Sequence, residues 1–107
     1  MAGYSFGSLV ALNVAHPAID AWVAVAPPLG MSSSDPASAT QPDPKLLIVP
    51  EHDQFTPPAV VTSRAAGWTN TVIETIASGD HFLTGRTAVV ADIAGRFVAE
   101  LSPSGGG

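Results

Sequence analysis

Gly3-Tyr4-Ser5-Phe6-Gly7 is the stretch on which the reading of this chain turns. The spacing G-x-S-x-G sets a serine between two small residues, as a chain requires when it leaves a strand, turns sharply and enters a helix with the hydroxyl held out on the turn. Only Met1 and Ala2 precede Gly3, so a strand leading in is not expected. The helix leading out is: Phe6, Leu9, Val10 and Val14 recur at helical spacing over residues 6–15, and Pro17 closes the segment.

Outward from that turn the pattern alternates. Residues 21–25 are a continuous apolar run ended by Pro27 and Pro28, which predicts a strand buried on both faces. Residues 29–44 are rich in Ser, Pro, Asp, Ala and Thr and read as a loop, at most a flap. Leu46-Leu47-Ile48-Val49 predicts the strongest strand, stopped by Pro50, with Glu51, His52 and Asp53 in the turn beyond it. Thr56 is a candidate cap for a helix over 57–67. Residues 71–76 alternate as a strand nearer the sheet edge, and Ser78 to His81 follow as a turn. Val89, Val90, Ile93, Phe97 and Leu101 mark one stripe of a terminal helix of about four turns. Residues 102–107 read as a flexible tail. Helices alternating with apolar strands predict an α/β fold, a parallel sheet flanked by helices in one domain, with no internal repeat.

Composition narrows the function. Of the 107 residues, 46% are apolar and 12% charged, which supports a packed interior. Four basic residues against nine acidic ones give a net charge of -5, without a basic run to meet a phosphate backbone, so nucleic acid is not an expected partner. The absence of cysteine excludes a disulfide frame, a thiol nucleophile and a thiolate metal site. No apolar stretch reaches the roughly 20 residues of a membrane span. Met1 leads into the serine turn rather than an export signal, and a cytoplasmic location is the expectation.

A serine hydroxyl becomes a useful nucleophile when a base takes its proton and a third group orients that base. Asp53 beyond one buried strand and His81 beyond the next supply a carboxylate and an imidazole in that order after Ser5. Each has a plainer reading. Ser5 suits an ordinary helix cap, Asp53 a turn, and His81 a solvent-facing loop. Asp80 and Glu51 are alternatives for the acid. His16 fits a helix C-terminus, and His52 lacks the further ligands a metal would need. Trp22 and Trp68 read as packing residues.

Together Gly3-Tyr4-Ser5-Phe6-Gly7, Val25-Ala26-Pro27-Pro28, the run from Leu47 through Asp53 to Pro58, and Gly79-Asp80-His81-Phe82 resemble the α/β-hydrolase superfamily, within it the small lidless bacterial serine hydrolases. The resemblance covers residues 3–101, with Pro50 or Glu51 standing where that family commonly has glycine. It implies a truncated α/β-hydrolase fold lacking its N-terminal strands, of which residues 1–101 are the C-terminal part. It implies acyl transfer without a cofactor or metal on a small ester, thioester or amide, with Ser5 as nucleophile, Asp53 as acid and His81 as base. The Phe6 N–H would be one oxyanion donor, Gly3 and Gly7 the elbow glycines, and Tyr4 and Phe82 would line the substrate pocket. The second oxyanion donor would come from a loop outside this sequence. Three readings remain open: an esterase-like enzyme, a peptidase or acyltransferase of the same fold, and a catalytically incomplete fragment that associates with itself through an exposed sheet edge.

Overall fold

The run around Leu46 forms an inner strand because it is apolar on both faces. In the computed structural model, which describes residues 1–14, 19–31, 34–53, 56–80 and 87–106, this strand is flanked on either side by parallel neighbours. The elements in chain order are β1 (Ala2–Tyr4), α1 (Phe6–Leu12), β2 (Trp22–Val25), β3 (Lys45–His52), α2 (Pro58–Ala65), β4 (Thr71–Asp80) and α3 (Thr87–Gly106). The sheet order is β1-β2-β3-β4, parallel throughout. A strand does precede the serine turn, contrary to the expectation. It is short, and it forms because Ala2, Gly3 and Tyr4 pair with Val23, Ala24 and Val25.

Because each strand steps in the same direction across the sheet, right-handed crossovers put the intervening chain on one face. On that face Leu12 of α1 and Val61 and Ala65 of α2 pack with Trp22, Ala24, Leu47 and Val49. On the other, Val23, Leu46, Ile48 and Ile76 meet Val90, Ile93, Ala94 and Phe97 of α3. Each fully buried aliphatic side chain is worth about 1.5–3 kcal/mol. The α1/α2 face holds the fully buried Leu12, Leu47, Val49 and Val61, whereas the α3 residues are only partly covered. Trp22 and Trp68 belong to the core, as their composition suggests.

Several boundaries differ from the sequence pattern for local reasons. α1 ends at Leu12, because Asn13 turns its amide to the Leu9 carbonyl (2.8 Å) and accepts the Ala37 N–H (3.2 Å). Its inward face is Ser8, Ala11 and Leu12, while Val10, counted in the predicted stripe, is 67% exposed. The described part of residues 29–44 is more than a loop: it holds short 3-10 turns at Leu29–Met31 and Ala37–Thr40, and buries Leu29, Ser38 and Ala39. Thr56 does not cap α2, whose N-cap is Pro57; its hydroxyl accepts the Gly30 N–H at 3.2 Å. β4 continues to Asp80, which pairs with His52 after an irregularity in register. In α3, Val89 lies at the 44%-exposed edge of the stripe, and the helix is assigned through Gly106, over most of the residues whose composition reads as a tail.

β3 also runs past Pro50, to His52. Main-chain groups of alternate residues point to opposite neighbours. The Lys45 N–H bonds Asn70 on the β4 side, and the Ile48 carbonyl accepts from Ala26 on the β2 side. Pro50 therefore aims its missing donor toward β2, whose ladder has already ended at Val25. Among the described residues no helix is long and apolar enough to cross a membrane.

Lys45, at the opposite end of β3, is wholly buried. Its ammonium donates to the carbonyls of Gln41 (2.6 Å) and Asp43 (2.9 Å), and lies 5.4 Å from the centre of the Trp22 ring. Burial lowers its pKa from the ordinary 10.5, opposed by the charge of Asp43. The folded chain thus releases this proton at lower pH than the unfolded one. Between the two values the unfolded chain holds more protons, and this group's contribution to stability rises with pH. Urea unfolding of wild type and Lys45→Met at about pH 7 and about pH 10 should show the wild type gaining relative to the variant at the higher pH.

Candidate functional site

Ser5 follows β1 directly and occupies the N-cap position of α1, but not as a cap. Its backbone lies at φ 55°, ψ -124°, outside the extended region of ordinary caps, and its side chain makes no capping hydrogen bond. Such a conformation costs a non-glycine residue about 1–3 kcal/mol and persists only where its surroundings impose it. Here they do. The Ser5 N–H donates to Val25 O at 2.8 Å, and the Ser5 carbonyl accepts from the Ser8 N–H at 2.9 Å and from the Ser8 hydroxyl. Ser8 is fully buried and holds the turn shut from below. Sequence reasoning missed it, although a serine one helical turn after the motif serine was the available signal.

The two motif glycines do different work. A Cβ on Gly3 would lie 2.3 Å from the Gly7 carbonyl oxygen and 2.7 Å from the Ser8 nitrogen, both backbone atoms that cannot step aside. Gly3 is therefore what allows β1 to lie against the first turn of α1. A Cβ on Gly7 would meet nothing within 4 Å among the described residues, so it is at Gly3 that the close approach is seen. Phe6 opens α1, where the leading N–H groups of a helix have no partner within it. Tyr4 ends β1 and is 43% exposed.

Asp53 is the first residue beyond β3 and is 2% exposed. Its N–H donates to Pro50 O (3.2 Å), and its Oδ1 accepts the Thr56 N–H (3.0 Å), which ties Asp53 to Thr56. Thr56 is buried at 1% exposure. Glu51 and His52, by contrast, face solvent at side-chain exposures of 48% and 68% and pair with each other at 3.4 Å. A buried carboxylate held by a backbone donor suits an orienting role better than Glu51 does. Asp80 ends β4. His16, His81 and Phe82 lie outside the described residues.

Because the strands are parallel, Ser5 after β1 and Asp53 after β3 stand at the carboxyl ends of the same sheet, where β4 also ends. Ligand sites of α/β sheets gather at that rim. Among the described residues no three His, Cys, Asp or Glu side chains group as metal ligands.

The glycine contrast is directly testable. Gly3→Ala should lower the unfolding free energy by about 3 kcal/mol or more, since backbone must move. Gly7→Ala, at an open helical position, should raise it by about 0.5–1 kcal/mol. Equilibrium denaturation of the two variants measures both.

No family model matches the sequence, and no curated protein does. Solved structures do. An α/β serine hydrolase homologue from Coxiella burnetii superposes with a TM-score of 0.71 at 21% identity, over 86% of this chain and 45% of its own. A protein of unknown function from Agrobacterium tumefaciens, proposed to be an α/β hydrolase, gives 0.77 at 21% identity, over 92% and 48%. Est1E from Butyrivibrio proteoclasticus gives 0.75 at 17% identity, over 94% and 60%. The chain thus has the α/β-hydrolase fold in part, spanning about half the length of the solved chains it resembles.

Proposed function

We propose that this chain is the part of a serine hydrolase that carries its nucleophile, acid and base, acting on a small ester, thioester or amide. The observation that supports this most is the backbone of Ser5: a hydrogen-bonded turn, closed by the buried Ser8, holds a non-glycine residue at φ 55°, ψ -124° between a parallel strand and a helix. A serine kept there for packing alone would be replaceable by glycine at lower cost.

In this reading the Ser5 hydroxyl attacks the substrate carbonyl carbon while His81 takes its proton. Asp53 fixes the imidazole and stabilises its positive charge. His81 then returns the proton to the leaving group, and water releases the acyl group by the same steps in reverse. The Phe6 N–H would stabilise the oxyanion together with a second donor from a segment outside this sequence. Loss of one such donor costs about 100- to 1,000-fold in turnover, which sets the expectation for this chain acting alone. Tyr4 and Phe82 would contact the acyl group. The substrate's finer identity, and whether a peptide or an acyl acceptor replaces water, call for substrate profiling, since one triad serves all three chemistries.

A fluorophosphonate probe tests the proposal, because attack by Ser5 forms an oxygen–phosphorus bond and expels fluoride. The expected outcome is labelling that disappears in Ser5→Ala and slows by about 10⁴-fold in Asp53→Asn. Labelling that persists in Ser5→Ala, or none in a folded wild type, would sink it.

A second reading has its own observation. β1 has a paired neighbour on one side alone among the described residues, and its ends expose Met1 (51%) and Tyr4 (43%). An open strand edge beside apolar surface favours self-association. Size-exclusion chromatography should then show a dimer that a Tyr4→Lys variant shifts to monomer; a monomeric wild type argues against it.

A further inference from the structure

Six residues at the sheet rim join the two candidate catalytic groups. Val25 O accepts the Ser5 N–H at 2.8 Å, and five residues on the Gly30 N–H donates to Thr56 Oγ1 at 3.2 Å. The N–H of that same Thr56 donates to Asp53 Oδ1 at 3.0 Å. A covalent segment with a hydrogen bond at each end therefore runs from the backbone of Ser5 to the turn holding the Asp53 carboxylate.

The segment is built stiff. Ala26 is held at φ 50° and 1% exposure, with its N–H on Ile48 O at 2.7 Å. Pro27 and Pro28 follow, both buried, with φ fixed by their rings. Leu29 is fully buried, and its N–H returns to Pro27 O at 2.8 Å. Arg64, projecting from α2, fastens the far end: Nη1 donates to Leu29 O at 2.5 Å and Nη2 to Ser34 O at 3.2 Å. A planar guanidinium can bind two carbonyls at once, where an ammonium offers a single point charge.

We propose that residues 25–30 form a positioning strap that sets the placement of Asp53 relative to Ser5, with Arg64 and Thr56 as its anchors. This rests on the serine-hydrolase reading. Neither anchor touches substrate; each acts through the strap. Arg64→Met frees the strap at Leu29, and Thr56→Val removes the acceptor for Gly30 while keeping the backbone N–H that holds Asp53.

The test uses the full chain, with a fluorophosphonate as the activity probe and amide hydrogen exchange as a readout independent of activity. In Arg64→Met, exchange at residues 29–31 should accelerate about ten-fold or more while β3 amides are unchanged. Ser5 labelling should slow by about ten- to a hundred-fold in the same folded protein. The pH at which labelling is half-maximal should fall, since a displaced carboxylate no longer favours the protonated imidazole. Arg64→Lys should recover part of the rate. Thr56→Val should act in the same direction and serves if Arg64→Met does not fold.

Unchanged exchange, or faster exchange with labelling and its pH profile at wild-type values, would overturn the strap and leave the hydrolase reading standing. Absence of Ser5-dependent labelling in the wild type would overturn the hydrolase reading and the strap's role with it.

Discussion

A backbone-to-backbone contact stands under the rest of this structure. Gly3 lets β1 approach the first turn of α1 so closely that no side chain fits between, and the chain has to turn within the single residue between them. Ser5 absorbs that reversal by entering a region of backbone space that residues with a Cβ avoid. The strain is offset locally, through hydrogen bonds from Ser8 to the Ser5 carbonyl and from Ser5 to the end of β2.

Direction of the sheet supplies the second constraint. Parallel strands send their carboxyl ends to one side, so residues distant in sequence arrive at one rim without a long loop reaching across. Asp53 reaches that rim because β3 outlasts β2, which in turn is possible because Pro50 faces the side from which β2 has departed. Its carboxylate is held by Thr56, which serves both Asp53 and the Gly30 amide. One threonine thus belongs to two loops.

Much of this was legible in the chain itself. The G-x-S-x-G spacing, the apolar run at Leu46 and the alternation of helix and strand patterns led to a parallel α/β sheet with Asp53 after its strongest strand, while the short strand before Ser5 went unforeseen because three residues carry no pattern of their own. What escaped was context. Val10 matches the helical stripe yet faces out, because the close approach at Gly3 rotates the small residues Ser8 and Ala11 inward. Residues 29–44 lack periodicity, yet Leu29 and Ala39 complete the core, since isolated apolar residues carry no pattern to detect.

The order of side chains along the chain determined which chemistry was available and which elements were apolar enough to pair, because both depend on residue type and local spacing. Where strands stop, which glycine is indispensable and what Thr56 and Arg64 hold were decided only in the folded molecule. Those outcomes depend on hydrogen-bond partners and backbone approaches between segments far apart in sequence, and no local pattern encodes a distance across the sheet.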